Sequence, residues 1–460
     1  MTQSLFIFRR DLRVVDNTGL LEAARGSDRV FPCFIFDDAL LAHCEHNNFR
    51  LAFLHESLVD LDRQLQALGS RLNVLVGNPT QLLGEILAAG EIRDVFVNRD
   101  YTPFSRRRDE ALAGVCSSHA TGFHTISDAL LNEPEQVYKS DGGHYAVFTP
   151  FYNRARQLFV APPQSHLPTN LAPEPLPVTS SAVARWPVAP AMTGSVFTSG
   201  RTGALQVLAN LAPLENYANE RDFPAMQGTS RLSAHLRFGT CSIREAYHSI
   251  AAALGEQHPM LRQLYWRDFY THIAYYRPRV FGHAFRSVYD AVAWDHDRSR
   301  FEQWCAGQTG FPIIDAGMRE LTSTGYMHNR VRMVVASFLV KNLHLDWRWG
   351  EAFFKQYLVD FDPCVNNGSW QWAASTGADA QPYFRVFNPW RQQLKFDPET
   401  QYIKRWVPEL ADWDPKAVHR LEKNPAGYLP PMVDLKASAE IIKARFRAVK
   451  DAHAESELLS

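Results

Sequence analysis

Apolar positions recur along this chain with two different periods. Up to about residue 130, short apolar runs alternate with longer amphipathic stretches: SLFIF (4–8), RVFPCFIF (29–36), RLNVLVG (71–77), DVFVNRD (94–100) and GFHTIS (122–127), with the helical pattern FRLAFLHESLVDLDRQLQALG (49–69) among them. Strand and helix alternating at that spacing predict a Rossmann-like α/β layer with a parallel sheet. After about residue 200 the period is helical nearly throughout, over 242–255, 259–276, 314–326, 328–343 and 347–359. That predicts an all-α domain large enough to enclose a cofactor between helices. Eight of the 27 prolines fall between Pro162 and Pro190, in a stretch that keeps neither helix nor ladder hydrogen bonds and reads as an extended surface linker. The expected division is 1–130 α/β, 131–200 linker and 201–460 helical.

Length supports two cores, since 460 residues exceed what one usually absorbs. With 46% apolar and 21% charged residues, composition excludes disorder and collagen-like sequence. Lys and Arg number 48 against 49 Asp and Glu, so a nucleic-acid site has to be local rather than a bulk-charge effect. The balance is −4 up to residue 200 and +3 after it, and ten of the eleven tryptophans also follow residue 200, Trp186 being the exception. Aromatic rings and cations are gathered in the helical part. The six cysteines lie far apart, with no C-x-x-C and no zinc spacing, which predicts six buried free thiols, no metal and a cytoplasmic location. No signal h-region and no run of 18 apolar residues is present, so no membrane association is expected.

Three groups of residues offer chemistry. Gly228-Thr229-Ser230-Arg231-Leu232-Ser233 puts hydroxyls and a guanidinium before an apolar helical run, a pattern that suits a diphosphate or an ordinary helix cap. Asp360-Phe361-Asp362 followed by Asn366-Asn367-Gly368-Ser369-Trp370-Gln371-Trp372 is dense in carboxylates, amides and indoles. Such groups can hold a ribose or a redox-active ring, or form a capped turn entering an aromatic core helix. Trp266, Asn329, Arg330, Met333 and Trp372 form a surface for flat bases or a packed core, with Gln263–Trp266 and Arg330–Met333 at i, i+3. No G-x-G-x-x-G follows any expected strand, so the α/β layer has no dinucleotide motif.

The stretches GTSRLS (228–233), WRDFY (266–270), TGFPIIDAGMREL (309–321), GYMHNRVRM (325–333), ASFLVKNL (336–343), NNGSWQWAASTG (366–377) and PYFRVFNP (382–389) occur in order. With them the chain resembles the DNA photolyase/cryptochrome flavoprotein family from RRDLR (9–13) to WVPEL (406–410). The resemblance implies an α/β antenna domain, a long linker and a helical domain holding a U-shaped FAD, in a monomeric protein acting on UV-damaged DNA. Carried over by motif, Tyr217, Thr229, Ser230, Arg231, Leu232 and Ser233 resemble the flavin phosphate and ribityl contacts. Asp360 and Asp362 match residues facing the isoalloxazine and adenine parts, Asn366 the amide opposite flavin N5, and Arg267 and Arg385 positions near the cofactor. Trp370, Trp347 and Trp294 match the three tryptophans that carry an electron to photoexcited oxidised flavin. Gln263, Trp266, Asn329, Arg330, Met333 and Trp372 match the lesion pocket of cyclobutane-dimer photolyases, with Arg221 and Arg330 as candidates for DNA phosphates.

The implied activity is light-driven repair of cyclobutane pyrimidine dimers by electron transfer from reduced FAD. The alternatives are a cryptochrome-like blue-light receptor and a six-four photolyase. Six-four relatives carry a histidine pair where this chain has Asn329 and Met333; Gln263, however, stands where cyclobutane-dimer enzymes commonly have glutamate and six-four enzymes commonly have glutamine. Receptors usually append a long tail, whereas fifty residues follow Leu410, among them the helical pattern 437–453. The stretch 98–112 matches the region that contacts a second, antenna chromophore in relatives; folate, deazaflavin and no antenna are the alternatives, and no residue is assigned to it.

Overall fold

A computed structural model of the chain describes residues 1–41, 48–89, 91–176, 195–421 and 427–459. It divides into two compact units. The first comprises Met1–His144, Pro150–Glu215 and Arg231–Tyr275; the second comprises Tyr145–Thr149, Asn216–Ser230 and Tyr276–Ser460.

In the first unit every apolar run that predicted a strand forms one: β1 (Gln3–Phe8), β2 (Arg29–Asp37), β3 (Asn73–Gly77), β4 (Ile92–Asn98) and β5 (Gly122–Ile126). They pair in parallel in the order β3-β2-β1-β4-β5, with β1 registered on β2 from Gln3↔Arg29 to Phe8↔Phe34. The connections carry α1 (Thr18–Gly26), α2 (Asn48–Gln66), α3 (Pro79–Ala88) and α4 (Pro103–Ser118). Leu5 and Ile7 join a core with Leu83, Leu87 and Cys116, while Phe6 and Phe8 meet edge to face at 4.7 Å. Alternate residues of β1 are thus buried on both faces, which is why its sequence is a continuous apolar run rather than an alternation.

Strand order reverses between β1 and β4, the place where open α/β sheets commonly take ligands. Here the carboxyl ends of those strands line a cavity of about 10 Å³ with Arg9, Arg10, Asp11, Asn98, Arg99, Asp100, Asp128 and Ala129, room for about one water. The cations are paired: Arg9 with Asp109, Arg10 with Asp100 at 3.2 Å, and Arg99 with Glu133 at 2.9 Å.

The compact units do not follow the sequence division at residues 130 and 200. Helices α5 (Ser233–Phe238), α6 (Ile243–Leu254) and most of α7 (Leu261–Tyr276) belong to the unit that holds the sheet. Their period is helical, as expected, but their polar partners are N-terminal. Arg244 reaches Asp16 at 3.0 Å and Asp128 at 2.8 Å, and Arg13 meets Asp128 at 2.7 Å. Burial alone would raise the Asp128 pKa, but the two guanidiniums outweigh it and hold the carboxyl well below its usual range. Asp268 of α7 accepts from the backbone N–H groups of Leu131 and Asn132 at 2.9 and 3.1 Å. The proline-rich linker is described up to residue 176, where Leu171, Ala172 and Leu176 are buried and Ala172 N–H donates to Val30 O at 2.8 Å. Its remainder, with Trp186 and Pro190, lies outside the described residues.

In the second unit the described residues form helices and no sheet. Those that matter below are α8 (Pro312–Thr324), α9 (Asn329–Lys341), α10 (Trp347–Tyr357), α11 (Pro363–Ala374), α12 (Pro389–Phe396) and α13 (Leu435–Leu459). They enclose a core containing Trp304, Phe311, Phe338, Leu339, Trp347, Phe354 and Trp370. The C-terminal pattern 437–453 is a docked helix: Ile442 and Phe446 of α13 are fully buried, and Asn342 Nδ2 donates to Ser438 Oγ at 3.0 Å. Among the described residues no helix is long and apolar enough to cross a membrane. Cys305, expected to be buried, is only half-buried.

Candidate functional site

The candidate residues divide between the units. In the second unit the chain enters α11 through Asp360-Phe361-Asp362. Asp362 is the N-cap, its Oδ1 accepting from Cys364 and Val365 N–H at 3.0 and 3.2 Å, and Pro363 opens the helix. Asp360 is used differently. One carboxylate oxygen takes Arg332 Nη2 at 3.0 Å, while the other, Oδ1, is buried and has no hydrogen-bond partner among the described residues. A buried acceptor left open costs free energy until a donor arrives. A flavin ring N–H or a ribose hydroxyl is such a donor, so the residues present fit FAD at this position.

One turn into α11, Asn366 is buried and its Nδ2 donates to Glu351 O at 3.2 Å. Asn367 Nδ2 donates to Glu351 Oε1 at 2.9 Å and to Val280 O at 3.0 Å, and Gln371 Nε2 donates to Val280 O and His283 O, both at 3.0 Å. This amide ladder fixes the face of α11 adjoining Asn366 and Trp370. Burial pushes the Glu351 carboxyl up to about 7 against the hydrogen bond from Asn367.

Trp370 follows Asn366 at i+4, on the same stripe of α11. It and Trp347 are buried, and Trp294 is half-buried. Gly350, one turn beyond Trp347 on α10, faces the Trp370 ring. Trp294 precedes Asp295, which pairs with Leu345 in an isolated parallel bridge two residues before Trp347. Trp347 and Trp370 belong to the buried core of this unit, and the half-buried Trp294 packs against it.

On α9, Asn329 is exposed and its Nδ2 lies 3.9 Å from Met333 Sδ, so these two, at i, i+4, share a face. Arg330 is half-buried and ion-paired. Trp372 is half-buried. Tyr217 is buried under the Arg221 guanidinium, whose carbon stands 5.6 Å from the ring centroid; among the described residues no carboxylate forms an ion pair with Arg221. Thr229 and Ser230 are half-buried, and Gly228 packs so closely on Glu220 that a Cβ would lie 2.8 Å from that residue's own Cβ. Arg385 is exposed, and its carbonyl accepts from the buried Lys341 Nζ at 2.9 Å.

In the first unit, Arg231 holds φ +56, a left-handed conformation that a non-glycine residue keeps only where its surroundings impose it. Leu232 is buried and Ser233 exposed at the start of α5. Gln263 and Trp266 are half-buried on α7, where Trp266 packs on Phe269 and Tyr270 at 5.7 and 5.5 Å. Arg267 is committed to carbonyls of its own unit, Ala129 O at 2.5 Å and Leu236 O at 3.4 Å. Beside it, burial pushes Asp268 up to about 7.

Sequence reasoning passed over Arg332, Glu351 and Gly350. Each is ordinary in its own helix and gains its part only from a partner on another segment.

The fold and these residues define a flavoprotein with an α/β unit and a helical cofactor-binding unit. The model for the FAD binding domain of DNA photolyase matches residues 260–448, and the DNA photolyase model matches residues 4–172. The deoxyribodipyrimidine photo-lyase of Synechococcus sp. is 37% identical over 98% of this chain and 98% of its own. The crystal structure of the archaeal photolyase from Sulfolobus tokodaii with two FAD molecules superposes with a TM-score of 0.86 at 41% identity, covering 97% of this chain and 100% of that one. A cryptochrome from Synechocystis sp. superposes with a TM-score of 0.87 but at 27% identity, over 96% and 99%. The chain belongs to the DNA photolyase family.

Proposed function

We propose that this protein repairs cyclobutane pyrimidine dimers in UV-damaged DNA under blue light, acting as a monomer in the cytoplasm. The observation that carries the lesion assignment is the Asn329–Met333 pair on one face of α9, 3.9 Å apart, where six-four relatives carry two histidines. When bound, light-excited reduced FAD supplies one electron to the dimer, whose two ring-closing C–C bonds then break before the electron returns.

The chain's own residues bind, orient and exclude water. Asp360 offers its open Oδ1 to a donor on the cofactor while Arg332 balances its charge. Asn366, tethered to Glu351 O, places an uncharged amide where an acid would favour a protonated ring. Tyr217, Thr229, Ser230, Arg231, Leu232 and Ser233 are assigned to the phosphate and ribityl end. Trp294, Trp347 and Trp370 are assigned the route for an electron entering from the surface. Trp266 and Trp372 offer indole faces to an extruded lesion, and Gln263 an amide to its edge; a damaged pair stacks poorly, which lowers the cost of extrusion. Arg221 and Arg330 hold phosphates, giving salt-dependent affinity. Arg267 acts by fixing α7 through Ala129 O. A second, light-harvesting chromophore is proposed for the first unit, of folate or deazaflavin type by resemblance; the Sulfolobus structure, named for two FAD molecules and a novel light-harvesting cofactor, supports a second chromophore but not that type.

Gln263 favours a second reading, the six-four substrate. The two separate on oligonucleotides that each carry one lesion type, incubated with reduced protein. Loss of cyclobutane dimers in blue light and not in darkness supports the proposal; loss of six-four lesions alone, or of neither, overturns it.

A further inference from the structure

Arg330 is clamped from two sides. Its Nη2 lies 2.7 Å from Asp222 Oδ2, the two side chains being 17% and 35% exposed. Its guanidinium carbon stands 4.3 Å from the centroid of the Phe396 ring, which is itself buried. Phe223, the neighbour of Asp222, meets the same ring edge-on at 6.1 Å. Residues 222 and 223 thus dock together on the first turn of α9 and the last residue of α12. Among the described residues Asp222 is the one carboxylate paired with Arg330.

We propose that Asp222 is a positioning residue for DNA binding, holding the Arg330 guanidinium in the rotamer that meets a phosphate. The inference rests on the reading of Arg330 as a phosphate contact. An arginine fork has five N–H donors; Asp222 engages Nη2 and Nε is buried, so a phosphate binds the terminal N–H groups that do not face Asp222, without displacing the carboxylate. An unheld arginine loses its rotamer freedom when DNA binds; one already fixed between a carboxylate and a ring face has lost it beforehand. Repulsion between Asp222 and the phosphate is offset by the guanidinium charge that lies between them, and is weaker because this carboxylate is partly exposed to water.

The test uses FAD-loaded protein in darkness and a duplex with one cyclobutane dimer, with Kd measured by fluorescence anisotropy across a salt series. Asp222→Asn is expected to weaken binding roughly two- to tenfold, Asp222→Glu to restore most of it, and Asp222→Asn to add nothing in an Arg330→Gln background. The inference is overturned if Asp222→Asn tightens binding, leaves it unaltered, or weakens it equally when Arg330 is already replaced. Arg330→Gln alone should lower the salt slope by about one. If it moves neither slope nor Kd, the phosphate-contact reading fails first and takes this inference with it.

Discussion

Gly350 of α10 and Trp370 of α11 are in such close contact that a Cβ on the glycine would stand 2.1 Å from the indole Cη2 and 2.4 Å from Cζ3. The ring occupies the space of a side chain, and the tryptophan that precedes Gly350 by one turn, Trp347, is buried in the same core. Gly350→Ala should therefore push the indole or part the two helices, destabilising the protein by about 1–3 kcal/mol. Urea unfolding of both proteins, with unchanged m-values, measures this; an unchanged midpoint would show that the helices separate freely.

Trp370 has a buried Nε1 with no acceptor among the described residues, so it is packed as an aromatic surface rather than as a hydrogen-bond donor. Trp370→Phe keeps most of that surface and removes the readily oxidised ring. Photoreduction of oxidised flavin should slow by more than an order of magnitude, while repair by protein reduced beforehand stays nearly unchanged. Equal damage to both, followed by flavin absorbance and dimer loss, would remove Trp370 from the electron route.

Asp360 is shared between Arg332 and the position assigned to the cofactor. Asp360→Asn leaves a largely buried guanidinium without its counter-charge, a change that costs about 3–5 kcal/mol where a buried pair is broken. Flavin content per chain is expected to fall below half of the unaltered protein's, with weaker uptake on reconstitution. Full occupancy would mean that the open oxygen of Asp360 does not meet the cofactor.

Glu351 gives stability a pH dependence of known sign. Its usual pKa of 4.5 applies in the unfolded chain, and burial raises it to about 7 in the folded one. The folded state therefore binds the proton more tightly, so this contribution is complete below about pH 4.5 and is lost as pH rises through 7. Glu351→Gln, which keeps an acceptor for Asn367, should remove that loss and be the more stable form at pH 8 by up to about 3 kcal/mol. Chemical denaturation at pH 5 and pH 8 checks the crossing; parallel stability profiles would contradict it.

The inner strands were legible because both of their faces are covered, which leaves continuous apolar runs such as Leu5 to Phe8; β5, with no buried residue, shows no such run. The helices from Ile243 to Tyr276 were equally legible as helices, but periodicity does not say which core a helix joins. Arg244 finds Asp16 across 228 residues, and nothing local to either residue announces it. The same limit governs the site. Asp360, Asn366 and Trp370 stand in a dense motif and were found; Arg332 reads as one more helical arginine until Asp360 lies against it. Asp362, read as a cofactor acid, also has the local task of capping α11, a signal present in Asp362-Pro363 from the outset.

The most direct measurement is a flash experiment on purified protein whose flavin has been fully reduced, mixed in darkness with DNA carrying one cyclobutane dimer. A blue flash should restore the intact pyrimidines, seen as recovered absorbance near 260 nm, while the flavin ends in its starting redox state. A dark control, or protein stripped of flavin, should restore none. Recovery without flavin, or no recovery from reduced flavin with the dimer bound, would contradict the account.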